Sequence, residues 1–135
     1  MRARLAAVVA VALILGLAFG IRALSDGWLE QYSGTALYAS MIYAGIFALW
    51  PSSTPVRAGL GAVGFCWAME FFQLTGIPAA LSARSQLARL ALGVQFDWVD
   101  VAWYPVGVVP LVILHLLVTR RAVRSAATAG PGSSV

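Results

Sequence analysis

The sequence predicts an all-α integral membrane protein: a four-helix bundle of spans, with an amphipathic or re-entrant connector between spans three and four. Three observations predict it. Hydrophobic residues make up 61% of the 135 and charged residues only 10%, against about 25% charged in a soluble domain. Apolar runs near 20 residues recur along the chain, long enough for a helix rising ~1.5 Å per residue to cross a ~30 Å hydrocarbon layer. The nine basic residues are all arginines, set at the ends of those runs.

The first span is placed at about residues 5–24, around "LAAVVAVALILGLAF". The basic start and the small residues Ala18 and Gly20 also fit a cleaved signal peptide. The apolar run is long for a signal, so it is taken as a span. The second, about residues 35–50, is "TALYASMIYAGIFALW", stopped by Pro51. It is short and borrows from the preceding "QYSG". The third is placed at about 56–77 and stopped by Pro78. Its Gly61, Gly64 and Ala68 share a face, and Gly45 lies in span two; small residues let helices approach closely in lipid. The fourth, about 98–118, is "WVDVAWYPVGVVPLVILHLLV". Residues 1–120 thus form one transmembrane domain, and 121–135 are expected to be a disordered cytoplasmic tail.

Between spans three and four lies "PAALSARSQLARLALGVQF". Leu81, Leu87, Leu90 and Leu92 are interleaved with Ser82, Arg84, Ser85, Gln86 and Arg89. This is the pattern of an amphipathic helix at a membrane surface or of a re-entrant segment.

Arginine asymmetry sets the expected orientation. Arg2, Arg4, Arg57, Arg120, Arg121 and Arg124 fall on one side, which makes it cytoplasmic and puts both termini there. The opposite side carries Arg22, Arg84 and Arg89 with Asp26, Glu30, Asp97 and Asp100. Trp28, Trp50, Trp98 and Trp103 fall at span ends, where indole rings favour the interface. The net charge of +4 accompanies no basic stripe with interleaved aromatics, so nucleic acid is not an expected partner. Cys66 is expected as a small core residue and His115 as a helix-end residue. No zinc spacing, phosphate-binding glycine loop or hydrolase elbow is present, and no metal or cofactor is expected.

The exceptional residues are polar ones inside apolar runs. In "MEFFQL", Glu70 and Gln73 stand three apart and share a helical face. Asp100, Trp103, Tyr104 and Gly107 also share one. Tyr38 and Arg22 lie at similar depth, and the connector brings Arg84 and Arg89 to the same end. An ionisable residue within a span costs roughly 2.5–3.5 kcal/mol on insertion scales, so it faces an interior or a wet cavity and marks function by default. Glu70 is expected to accept a hydrogen bond from Gln73 or Tyr104, and Arg84 to pair with Glu70 or Asp100. A purely structural network that staples the connector to the bundle is the competing reading.

The block "MEFFQLTGIPAALSARSQLARLALGVQFDWVDVAWYPVG" resembles an uncharacterised bacterial membrane-protein family, domain of unknown function 2809. Glu70, Gln73, Leu74, Pro78, Arg84, Leu92, Gly93, Phe96, Trp98, Asp100, Tyr104 and Gly107 fill its pattern. Upstream, Tyr32, Gly34, Leu37 and Tyr38 in "QYSGTALYA" match as well. Arg22 fits an arginine near the end of the first span, and Thr35 stands where the family usually has Asp. More distantly, the chain is similar to VanZ-like proteins associated with glycopeptide resistance. The resemblance implies the fold and the positions of the site. It implies no activity, because the closer family has none assigned.

The expected function is therefore that of a bacterial inner-membrane protein of the cell envelope. An outer-leaflet pocket, with Glu70, Gln73, Arg84, Asp100, Tyr104, Tyr38 and Arg22 as candidate ligand-binding residues, would take an anionic lipid or glycolipid head group. Arg84 and Arg89 would meet its phosphate. The alternatives are an enzyme on a lipid-linked substrate, with Glu70 and Asp100 as acid and base, and a structural module without a ligand.

Overall fold

The computed structural model describes residues 1–128, and within them the chain is all-helical. Six helices follow in order: α1 (Arg2–Leu24), α2 (Trp28–Leu49), α3 (Pro55–Gln73), α4 (Ile77–Ser82), α5 (Gln86–Leu92) and α6 (Trp98–Thr128). Two of them, α1 and α6, are long and apolar enough to cross a membrane.

The boundaries have local causes. Helix α1 closes on Ser25, whose N–H and hydroxyl both donate to the Ile21 carbonyl at 2.8 and 2.7 Å. Gly27, at φ +73°, turns the chain into α2. That helix starts at Trp28, seven residues before the expected 35, so it takes in the polar "QYSG" as expected and the three residues ahead of it. It stops at Leu49, just ahead of Trp50, whose successor Pro51 disfavours helical backbone. Thr54 caps α3 by accepting the Arg57 N–H at 3.3 Å, with Pro55 in the first turn.

The structure corrects the end of the third span. Helix α3 stops at Gln73, and Pro78 is not its terminator; it sits in the first turn of α4, after a reversal at Gly76 (φ +75°). Proline is well placed there because a first-turn N–H has no helical acceptor. The connector is helical as its pattern predicts, but as two short helices. Ser85 caps α5, Gly93 (φ +70°) ends it, and Asp97 caps α6 by accepting the Val99 N–H at 2.8 Å. Helix α6 runs on to Thr128, so residues 121–128, expected in a disordered tail, are helical; residues 129–135 lie outside the described part.

Helices α2, α3 and α6 pack on one another, and α1 packs alongside α2. This is a three-helix core with a flanking fourth helix. The contacts Thr35–Asp100, Ser40–Gly107 and Tyr43–His115 advance together along both helices, so α2 and α6 run parallel. Helix α3 runs antiparallel between them.

Small residues set the spacing, but not the expected ones: a Cβ at Gly45 or Gly64 would meet no neighbour, and Ala68 is exposed. At Gly107 a Cβ would collide with the backbone of Ala36, and Ser40 Oγ donates to the Gly107 carbonyl at 2.7 Å. At Gly59 a Cβ would lie 2.6 Å from Val112 Cγ2. The core is built from Ala39, Tyr43, Ala58, Ala62, Cys66, Tyr104 and Val108. Cys66 is the small core residue expected. His115 is not merely a helix-end residue: its Nδ1 lies 3.0 Å from the Tyr43 hydroxyl, and its ring packs on Phe47.

Pro105 and Pro110 lie inside α6. A proline has no N–H, so Pro105 leaves the Val101 carbonyl without its helical donor. The indole N–H of Trp67 donates to that carbonyl at 2.9 Å. One side chain of α3 thus repairs the ladder of α6.

Candidate functional site

The polar cluster forms where α3 ends and α6 begins. Glu70 lies one turn before the end of α3 and is 1% exposed. Both carboxylate oxygens are engaged. Oε1 accepts the backbone N–H of Asp97 at 2.7 Å, and Oε2 accepts the Tyr104 hydroxyl at 2.7 Å. The first bond sets the carboxylate against the N-terminus of α6, where the exposed N–H groups favour negative charge. Of the two partners expected for Glu70, the structure selects Tyr104.

Gln73 turns elsewhere. Its Nε2 donates to the Leu92 carbonyl at 2.8 Å, while its Oε1 is buried without a partner. The neighbouring carbonyls are taken the same way. Tyr38 donates to Ala91 at 3.1 Å and Ser82 to Gly93 at 2.7 Å. Three donors from α2, α3 and α4 thus satisfy three consecutive carbonyls at the end of α5, which have no acceptor role left inside that helix. Gly93 is required here twice over: its φ is positive, and a Cβ would strike the Gln73 amide.

Asp100 accepts the Thr35 hydroxyl at 2.8 Å on Oδ1. At this position a donor meets the carboxylate. Beside it Tyr32 stacks on Trp103 with ring centroids 5.5 Å apart, and on the other flank Phe71, Phe96 and Trp98 form a second aromatic group.

The arginines do not join this cluster. Arg84 pairs with neither Glu70 nor Asp100; the ion pair formed among the described residues is Arg22–Glu30, at 3.4 Å across the α1–α2 turn. Arg84 and Arg89 instead line a hollow of about 260 Å³ with Ser82, Ala83, Ser85 and Gln86. The connector is short, and its three carbonyl contacts fix it in a position that turns both guanidinium groups to the surface. Glu70, Gln73, Tyr38, Tyr104 and Asp100 are therefore brought together, while Arg84 and Arg89 form a separate surface pair and Arg22 stands apart.

A family model described as "Protein of unknown function (DUF2809)" matches residues 24–108. The chain belongs to the DUF2809 family. The matched segment begins at the end of α1 and includes α2 to α5 and the first third of α6, so it contains the whole polar cluster of this DUF2809 protein. No solved structure matches the chain.

Sequence reasoning misses three members of the arrangement. Trp67 has a readable signal, since a proline within a span leaves one carbonyl that needs a donor. Ser82 and Asp97 sit next to turns, where their capping roles follow from position only once the helix ends are known. Among the described residues no group of three or more His, Cys, Asp or Glu side chains is placed to hold a metal ion.

Proposed function

We propose that this DUF2809 protein is a multi-pass membrane protein that binds an anionic lipid or glycolipid head group at the outer leaflet through Arg84 and Arg89. In this reading α1, α2, α3 and α6 are the spans, α4 and α5 lie in the head-group layer, and both termini are cytoplasmic in a bacterial inner membrane. The arginine asymmetry supports that setting.

The membrane reading is supported by the large apolar side chains that the molecule exposes. Fully buried positions include Glu70 and Cys66, whereas Leu13 is 69% exposed and Leu60 72%. Such surface needs an apolar solvent.

The observation that carries the head-group reading is the hollow itself. Two guanidinium groups without acidic partners among the described residues share it with Ser82, Ser85 and Gln86, beside the exposed Leu81, Leu87 and Leu90. Leucines that enter the acyl boundary next to arginines that meet phosphate are the design of an interfacial segment. The double variant Arg84→Ala, Arg89→Ala is expected to keep its fold and lose most of its co-purifying acidic lipid in native mass spectrometry. Unchanged lipid retention would refute the reading.

A structural role for the remaining polar set has its own support, because Glu70, Gln73, Tyr38 and Ser82 all hold backbone groups of the connector or of the α6 start. An acid–base role for Glu70 and Asp100 is less well supported, since each Glu70 oxygen already has a donor.

A further inference from the structure

The connector that carries Arg84 and Arg89 is firmly seated. Pro78 is fully buried, and Ser82 is buried with its hydroxyl donating to the Gly93 carbonyl at 2.7 Å. The hollow between the two arginines therefore has a fixed floor. Its lining is one-sided in chemistry. Two guanidinium groups, the Ser85 hydroxyl and the Gln86 amide can all donate, and no carboxylate lines it. Ser85 Oγ accepts the Ala88 N–H at 3.3 Å, which leaves its own proton free to donate. The carbonyls at the end of α5 already accept from Tyr38, Gln73 and Ser82. Neither arginine has an acidic partner among the described residues. The charge of the hollow is uncompensated from within.

The hollow measures about 260 Å³, less than the ~300 Å³ at which pockets for whole small molecules begin. It has room for a phosphate and its linkage, with the rest of a head group outside. Charge and oxygen count then decide which phosphate. An ammonium would enter the field of two positive charges with no carboxylate to meet it, so a zwitterionic head group is disfavoured. A guanidinium is a fork that engages two phosphate oxygens at once. A phosphodiester has two non-bridging oxygens, and one fork engages both. A terminal phosphate has three, so the second guanidinium finds an oxygen of its own.

We propose that the hollow selects lipids whose head group ends in a phosphate, as a phosphomonoester or a diphosphate, over lipids that carry phosphate only as a diester. This rests on the head-group reading and names its ligand class. Leu81, Leu87 and Leu90, exposed beside the hollow, favour a phosphate carried by a lipid over one free in solution.

The full chain in phosphatidylcholine nanodiscs, doped with one acidic lipid at a time, tests the selection, with lipid retention read by native mass spectrometry. Phosphatidic acid offers a terminal phosphate and phosphatidylglycerol a single diester. Cardiolipin offers two diesters and so controls for charge. Phosphatidic acid is expected to be retained about tenfold better than either, the scale of one added charge-assisted hydrogen bond. Arg84→Lys with Arg89→Lys keeps the charge and removes the forks, and it is expected to hold the three lipids about equally. A lysine variant that keeps the tenfold preference would overturn the selection by forks.

The remaining outcomes separate this selection from the reading beneath it. If the wild type holds all three acidic lipids equally and Arg84→Ala, Arg89→Ala loses them all, the terminal-phosphate selection is overturned and the head-group reading stands. If the wild type holds none of them above phosphatidylcholine, both are overturned. Inorganic phosphate in excess is expected to displace little phosphatidic acid. Full displacement would assign the hollow to a free anion and overturn the lipid source.

Discussion

Helices α1 and α3 are both largely apolar, yet the structure uses them in opposite ways. Of α1 only Ala7 is buried, and Leu5, Leu13, Leu17 and Phe19 point away from the protein. Helix α3 buries Ala58, Gly59, Ala62, Cys66 and Glu70. The more uniformly greasy helix is the less enclosed one. Where the surroundings are as apolar as leucine, burial no longer follows hydrophobicity, and it follows shape and hydrogen bonding. Small side chains bring α2, α3 and α6 close, and polar ones find partners across the gap; α1 offers neither and stays at the flank.

The contrast can be broken by substitution. The largest effect is expected at the closest crossing: Gly107→Val drives side-chain atoms into the Ala36 backbone, with a cost of about 3 kcal/mol and loss of a cooperative melt in detergent. Next comes Glu70→Ala, which strands the Asp97 N–H and the Tyr104 hydroxyl. A loss of about 2–3 kcal/mol is expected, read as a fall in melting temperature, and Glu70→Gln should recover part of it by keeping one acceptor. Trp67→Phe keeps the ring but strips the donor from the Val101 carbonyl, for about 1 kcal/mol. At the small end, Leu13→Ala on the outward face of α1 should change the melt by less than about 0.5 kcal/mol. A Leu13 effect as large as that of Trp67 would erase the distinction between the two helices.

These positions also show what could be read in advance. The all-helical fold, the amphipathic connector and the grouping of Glu70 with Tyr104 and Asp100 follow from periodicity and from the cost of a carboxylate among apolar residues. The end of α3 does not. Pro78 looks like a stop, but proline also opens helices, and the reversal at Gly76 decides between the two. The direction of Arg84 is equally out of reach, because a guanidinium on a flexible stem has no spacing rule, and it depends on how Tyr38, Gln73 and Ser82 grip the next turn. Thr35 is intermediate: its place on the face towards α6 is periodic, while its bond to Asp100 depends on α2 and α6 running parallel.

The parallel pairing of α2 with α6 bears on the order of synthesis. Thr35, Ser40, Tyr43 and Glu70 all emerge from the ribosome before residue 98, and each takes a partner at or beyond Asp97: Asp100, Gly107, His115, and Asp97 with Tyr104. Until the last helix is threaded, four polar side chains have no interhelical mate. An unfinished chain is thereby chemically marked, and the arrival of α6 is the step that turns a set of separate helices into a finished protein.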